Sequence, residues 1–587
     1  MAMRAEASRL RRRQLYMGAP LVVLPLVMLV YPVGQLLLLS VYAQGSFTLA
    51  PYRQLFASSV YVEVLLITLK ISLWTTLLAV VAGYPVAYLI SSAPRARKGT
   101  LLFWVLLSFW TSFLVRAFAW VVLLGRNGVL NQLLVALGLR DAPAELLYNF
   151  GAVLVGMVHA LMPLAILTML SVMENIDRNL PRAALTLGAR PGTAFWRIYF
   201  PLSFPGVAAA AIMVFVTAIG FFIIPALLGG RRETMITQII IDQVQQTLNW
   251  GFAGAISVLL LAVVLAVFAV YDRVLGLSTM TGGAATRARP GASAGWTHRL
   301  GDATLGLLGA VFDRALAVLP RGRHGAAAPG QSTALRVLVV LVLAFLSIPA
   351  FLMIPLSFGG GSGLAWPPRG FSLQWYQQVF DSPLWVQAIT RSMIVGIGTG
   401  LLSMLIGTPT AFLLVRGTLR GKSALLAFAL SPIVVPRMII AVGMFYFFAR
   451  VGLVGTSIGL ILGHTVIAVP YVVMTMMAVL KNYDTRLDLA AQSLGATPMA
   501  TLRYVTFPIL IAGLLSSFLF AFATSFDELT IALFATGGMN ATLPKQFWDE
   551  VTLQVSPVIA AVSTCLFVFI ALLIWTADRL RRASLAR

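Results

Sequence analysis

Two acidic residues stand side by side inside an apolar run, Asp527 and Glu528 in SFDELTIALFATGG at 525–538. A carboxylate at membrane depth is costly and usually faces a cavity or a partner. Asp527 lies 19 residues beyond Pro508. At 1.5 Å per helical residue that is roughly 28 Å, near the outer end of the bilayer core and around an external gate. There it would attract an ammonium group, enter a structural ion pair, or end a helix in the headgroup layer. Arg116 and Arg437 fall in the third expected helix of each half of the chain. An arginine facing a pathway repels a polycation. Both are therefore expected to pair with acids such as Asp527 or Glu528, or to hold backbone carbonyls; an anionic or zwitterionic substrate would reverse that preference. The earlier positions matching the two acids are Ile219 and Gly220, so a charged site would be one-sided. Phe221 and Phe222 beside them, with the outer aromatics Trp250 and Trp548, complete the candidate pathway or gate. The two tryptophans fit an interface belt as well as a contact with substrate or an external partner.

Other chemistry is sparse. Gly417-Thr-Leu-Arg-Gly421-Lys422-Ser423 approaches a phosphate-binding loop, but three residues separate its glycines where the motif has four. It also lies between two apolar runs rather than after a strand. His159 and His464 fall within apolar runs, where they line a path or serve as hydrogen-bonded packing residues; His298 and His324 lie in a linker. Cys565 is the single cysteine and can form no intramolecular disulfide. No nucleophile constellation or metal-ligand cluster is evident, so the chain is expected to be no enzyme and to bind no cofactor of its own.

A different motif occurs twice: PRAALTLGARPGTAFWRIYFP at 181–201 and LDLAAQSLGATPMATLRYVTFP at 487–508. Each has Ala-Ala, Gly four residues after the second Ala, an aliphatic residue ten further on, and Pro three after that. The residues are Ala183, Ala184, Gly188, Ile198 and Pro201, then Ala490, Ala491, Gly495, Val505 and Pro508. Small Ala side chains let a helix approach another surface closely, Gly bends without a Cβ penalty, and Pro suits a helix start.

The elements that carry these residues are apolar. Of 587 residues 59% are hydrophobic and 10% charged, with mean hydropathy +0.91. Soluble domains carry roughly 25% charged residues, so most of this chain belongs in lipid. Runs long enough to cross a bilayer predict twelve helices, near 17–43, 62–92, 100–125, 150–174, 202–228 and 251–274, then 335–358, 386–415, 424–449, 457–480, 508–535 and 556–577. The net charge of +23 does not form a stripe for nucleic acid. With the N-terminus placed inside, 30 of the 42 Lys and Arg fall in the cytoplasmic segments, which predicts both termini in the cytoplasm.

The twelve helices form two related sets of six. FTLAPYRQLF at 47–56 matches FSLQWYQQVF at 371–380 with a shift of 324, which also carries Gly83 and Pro85 onto Gly407 and Pro409. The shift later drops to 307, then 308, so the first copy holds 17 more residues around 126–149. The expected domains are a basic tail at 1–16, a first domain at 17–277 with its long loop at 176–201, a linker at 278–333, and a second domain at 334–587 with its loop at 481–508. The linker is rich in Gly, Ala, Arg and Pro and is expected to be flexible; Leu300–Leu319 is a tether or a helix lying in the membrane interface.

The repeated loop resembles the "EAA" loop of ABC-importer permeases. That resemblance implies an all-α integral membrane fold of twelve transmembrane helices in two parallel six-helix repeats, the type I importer permease fold. It implies coupling helices that dock on two copies of a cytoplasmic ABC ATPase, which binds the ATP and Mg, and an external substrate-binding protein. The coupling residues carried over are Arg182, Ala183, Ala184, Gly188 and Ala189, and Asp488, Ala490, Ala491, Gly495 and Ala496. The family's leading Glu is replaced by Arg182 and Leu489, with Asp488 adjacent. Further stretches, LLGGRRETMITQII at 227–240 and TLPKQFWDEV at 542–551, resemble the paired spermidine/putrescine permeases. They imply a bacterial inner-membrane importer of an amine-containing solute. Relatives of that group move opines, 4-aminobutyrate-type compounds, aminoethylphosphonate or, more distantly, ferric iron. A stand-alone secondary transporter would explain the spans and the repeat but not the two loops.

Overall fold

A computed structural model describes residues 18–275 and 333–585, apart from Gln44, Ser362, Arg369, 418–420 and 554–555. The basic tail, almost all of the linker and its Leu300–Leu319 segment lie outside the described residues.

In the first copy the helices are α1 (Gly18–Leu39), α2 (Ala50–Ala57), α3 (Ser59–Ser92), α4 (Arg95–Trp110), α5 (Phe113–Leu124), α6 (Val129–Ala136), α7 (Phe150–Met173), α8 (Asn179–Thr186), α9 (Pro191–Ile219), α10 (Ile223–Leu228), α11 (Ile236–Gln245) and α12 (Trp250–Leu275). In the second copy they are α13 (Thr333–Ser357), α14 (Gln374–Asp381), α15 (Pro383–Arg416), α16 (Lys422–Val434), α17 (Arg437–Val451), α18 (Ser457–Lys481), α19 (Arg486–Ser493), α20 (Pro498–Phe526), α21 (Thr530–Ala535), α22 (Leu543–Leu553) and α23 (Pro557–Leu585). Tyr42–Ala43 and Ser46–Phe47 pair as a two-residue antiparallel ladder. Among the described residues ten helices are long and apolar enough to cross a membrane, the bent pair α16–α17 makes an eleventh, and the apolar part of α23, Pro557–Leu573, occupies the twelfth position.

Most elements of the two copies start at positions related by a constant shift. A shift of 324 carries α2, α3 and α5 onto the starts of α14, α15 and α17, and a shift of 307 carries α7 to α12 onto the starts of α18 to α23. The offset therefore stays at 307 and never becomes 308; α6 and the chain after it hold the 17 extra residues. Within each copy the second span packs along the fourth. A Cβ on Gly407 of α15 would meet Val472 Cγ1 at 2.7 Å, and one on Gly83 of α3 would meet Ile166 Cγ1 at 3.0 Å. These paired glycines let two spans approach closely, which is how helices gain contact in lipid. Each first helix crosses to the other copy: α1 lies on α17, where a Cβ at Gly443 would meet Pro32 carbonyl atoms at 3.0 Å, and α13 lies on α3, α4 and α5.

Two expectations are corrected. The third span of each copy is not continuous: α4 and α5 are separated at Thr111–Ser112, and α16 and α17 bend by 92° at Val435–Pro436. Pro436 has no N–H and pushes Val435 into an extended conformation. In the first copy Thr111 Oγ1 bonds back to Leu107 O at 2.7 Å, and the Ser112 hydroxyl accepts the Leu114 N–H at 3.3 Å to start a new helix. The fifth spans also break, after Ile219 and after Phe526.

Candidate functional site

The two motif loops have the same backbone. After α8 the Gly188 N–H donates to Leu185 O at 3.1 Å and the Ala189 N–H to Ala184 O at 3.0 Å. After α19 the Gly495 N–H donates to Gln492 O at 3.0 Å and the Ala496 N–H to Ala491 O at 3.1 Å. This paired bonding closes a helix around one left-handed residue. Gly188 and Gly495 both have φ +89, and nothing lies within 4 Å of a Cβ built on either. The glycines are thus required by backbone conformation, not by crowding. Pro191 and Pro498 then open the next helices. Arg182, Ala183 and Ala490 are exposed, and Ala184 and Ala491 half-buried. Leu187 and Leu494, at matching positions, are 88% and 89% exposed. Two helices therefore present apolar residues to the surrounding space from corresponding places in the repeat.

The loops differ in what ties them to the spans. Asp488 in α19 accepts a hydrogen bond from Arg416 Nη1 at 2.8 Å, from Tyr483 Oη at 2.5 Å and from Thr506 Oγ1 at 2.8 Å. Burial alone would raise the Asp488 carboxyl. Hydrogen bonds from Tyr483 and Thr506, with the Arg416 charge, outweigh it and hold the group below the usual carboxylate range. In the first copy the matching residues are Pro181, Ile176 and Tyr199, with Ser92 in place of Arg416. There the tie is aromatic: Tyr199 stacks on Phe195 with centroids 5.9 Å apart, meets Tyr88 at 4.9 Å, and shares a 3.2 Å hydrogen bond with Ser91. Lys422 and Gly421 of the near-miss phosphate loop simply open α16, with Gly421 at φ +96.

The remaining candidates gather at the seam between the copies. Asp527 and Glu528 lie in the break between α20 and α21, not within a continuous helix as their spacing suggested. The break forms because the acids satisfy helix ends. Glu528 accepts the Thr530 and Ile531 N–H groups at 3.0 and 2.8 Å, which starts α21. Asp527 reaches the first copy and accepts the Phe113 N–H at 3.4 Å, at the start of α5. With the offset fixed at 307, their counterparts are Gly220 and Phe221. Gly220 approaches Pro436 at the corresponding break of the second copy, with 3.5 Å from its built Cβ to the proline ring.

Arg116 is buried, donates to Ala160 O at 3.0 Å, and places its guanidinium carbon 4.5 Å from the centre of the Phe113 ring. It follows the backbone-carbonyl alternative rather than an ion pair. Arg437 is half-buried, with Nη2 3.5 Å from Tyr471 Oη. No ion pair within 4.0 Å joins either arginine to Asp527 or Glu528 among the described residues. Two aromatic pairs bridge the copies, Phe222 with Trp548 at 5.4 Å and Trp250 with Tyr446 at 5.1 Å, while Phe221 meets Phe113 at 5.2 Å within the first copy. His464 Nδ1 lies 2.8 Å from Ser525 Oγ, and His159 Nε2 3.2 Å from Leu346 O, so both are hydrogen-bonded packing residues.

Beside Asp527 a cleft of about 670 Å³ runs between α4 of the first copy and α20, α22 and α23 of the second. Trp110, Ser112, Phe520, Phe526 and Phe547 line it, and Asp527 is its acidic residue. Ser112, Trp110 and Phe520 carried no signal in the sequence, because each reads as one more residue of an apolar run. Thr506, Tyr483 and Arg416 were equally silent, since nothing in their spacing announces a shared carboxylate.

The profile of the family described as "Binding-protein-dependent transport system inner membrane component" matches residues 76–275 and 403–584. The spermidine/putrescine transport system permease protein PotB of Escherichia coli (strain K12) is 35% identical over 227 residues, covering 39% of this chain and 82% of that protein. The corresponding permease protein PotC of Haemophilus influenzae is 30% identical over 229 residues, covering 39% of this chain and 88% of that protein. A crystal structure of a bacterial ABC transporter involved in the import of the acidic polysaccharide alginate aligns with 43% of this chain and 98% of that one, at 15% identity and a TM-score of 0.34.

Proposed function

The chain belongs to the binding-protein-dependent transport system inner membrane component family, and on that premise we propose that it is a fused permease importing a small amine-containing solute under the drive of a separate ATPase. The observation that carries this reading is the matched pair α8 and α19. Two exposed helices close on identical left-handed glycines and present Leu187 and Leu494 at equivalent positions. Each would receive one copy of a cytoplasmic ATPase, with both chain termini on that same side. Closure of the ATPase pair would move the two helices together and turn the pathway outward, where an external binding protein releases its solute.

The substrate class rests on Asp527. It is the acid of a cleft walled by aromatic rings, a combination that suits an alkylammonium group. A polyamine such as spermidine or putrescine has that chemistry. Arg437, half-buried at the same seam, keeps a zwitterion such as an opine or a 4-aminobutyrate-type compound as the second reading.

The test is uptake into vesicles that hold the chain with its ATPase and receive its binding protein. Labelled spermidine or putrescine should enter only with internal ATP and all partners. Uptake by the chain alone on a proton or sodium gradient would reject the ABC mechanism. ATP-dependent uptake of a zwitterion with no polyamine uptake would move the substrate to the second reading.

A further inference from the structure

α19 has eight residues, is largely exposed, and must pass any displacement to the spans behind it. A single carboxylate gathers three of those spans. Arg416 is the last residue of α15; Tyr483 lies two residues past the end of α18; Thr506 lies in the first turns of α20. All three donate to Asp488, which is only 14% exposed despite sitting on a surface helix. The guanidinium is oriented as well as paired. Its carbon lies 4.7 Å from the centre of the Tyr483 ring and 5.3 Å from that of Phe412. Charge-assisted hydrogen bonds of this kind are short and directional, and exceed neutral ones in strength. α15, α18 and α20 also pack on one another, so a pull on Asp488 would act on three spans already in mutual contact.

The first copy has none of this. Its corresponding positions, Pro181, Ile176, Tyr199 and Ser92, hold no charge. Tyr199 instead sits in an aromatic stack with Phe195 and Tyr88, and Tyr84 bonds Ser203 at 2.8 Å beside it. The asymmetry is built into otherwise superimposable loops.

We propose that Asp488 is a positioning residue that latches α19 to α15, α18 and α20 and transmits its movement, whereas the first copy has no acid at that position and its neutral aromatic stack ties α9 to α3. The acid next to the Ala-Ala pair is thus used within the chain rather than offered to a partner. This rests on reading α8 and α19 as the drive helices, and the test is arranged so that the two ideas fail separately.

The first arm needs no partner. Hydrogen–deuterium exchange on the purified full chain compares wild type with Asp488→Asn and Asp488→Glu. In Asp488→Asn the amides of 489–496 should exchange about tenfold faster, with those of 182–189 unchanged and Asp488→Glu close to wild type. Equal exchange in both loops would overturn the latch. The second arm measures uptake and ATP hydrolysis in the assembled complex. Asp488→Asn should lower solute moved per ATP about fivefold while hydrolysis continues. Uptake and hydrolysis falling together, or an unchanged ratio, would overturn the transmitting role. A wild-type complex that moves neither polyamine nor zwitterion would sink the importer reading, while the exchange arm still decides the latch.

Discussion

Asp527 of the second copy accepts the backbone N–H of Phe113 in the first, at 3.4 Å across the seam. One carboxylate therefore ends α20, faces the cleft, and sits at the start of α5. At the corresponding break Gly220 meets Pro436, the counterpart of Ser112.

That double position gives a separable test. Asp527→Asn keeps an oxygen that accepts the Phe113 N–H but removes the charge. Uptake of a polyamine should fall about tenfold, the effect of losing roughly 1.4 kcal/mol, with little change in thermal unfolding. Unchanged uptake would reduce Asp527 to a helix-end acceptor.

Gly188 and Gly495 should tolerate bulk but not a β-branched side chain. Space around both is open, so a substitution is limited by φ alone, at about 1–2 kcal/mol for an ordinary residue held left-handed. Val at either position should lower uptake with membrane insertion retained, and Asn, which visits this region more readily, should retain more. Equal uptake by Val, Asn and wild type at both sites would remove these turns from the mechanism.

Much of this was legible in the sequence because lipid imposes simple rules. Span length fixed the twelve positions, and repetition of Ala-Ala-x3-Gly found both loops without any contact being known. The breaks were hidden. Thr111 and Ser112 read as tolerable polar residues in an apolar run, since a hydroxyl that bonds its own backbone leaves no trace in hydropathy. Asp527 and Glu528 were visible as acids out of place, but their use as acceptors for N–H groups depends on which helix ends the packing delivers. Arg116 takes the second of its two alternatives, a backbone carbonyl at Ala160 O, and no spacing in the sequence separates that partner from a carboxylate. Asp488 stands beside the replaced Glu among the coupling residues, but its three donors come from residues 72 positions before it to 18 after it, a spacing that no local pattern reveals.

Acid should release α19 but only at low pH. The folded Asp488 carboxyl is held below its ordinary value, so its contribution is full above the unfolded value of about 3.9 and is lost as pH falls through the folded one. Arg416, Tyr483 and Thr506 face it, and none changes charge in that range. Exchange of 489–496, corrected for intrinsic rate, should stay flat from about pH 8 to about pH 5 and rise below about pH 4. Asp488→Asn should show no such step. A rise centred near neutrality in the wild type would contradict the latch geometry.

Leu187 and Leu494 provide the sharpest test of partner docking. They are the large apolar residues most exposed on the two loops, 88% and 89%, and they occupy equivalent positions. If an ATPase covers them, each transfers a leucine side chain out of water, worth about 1.5–3 kcal/mol. Replacing either with Asp should then weaken ATPase association at least about tenfold, and replacing both should leave no complex in pull-down from detergent. Leu139, 67% exposed and just past α6, supplies the control: Leu139→Asp adds the same charge away from both loops and should leave association unchanged. The substitutions sit on exposed helix ends and break no packing, so the chain should still insert and show wild-type unfolding. A complex of normal affinity with both leucines replaced would mean that the ATPase binds elsewhere, and the role assigned to α8 and α19 would fall with it.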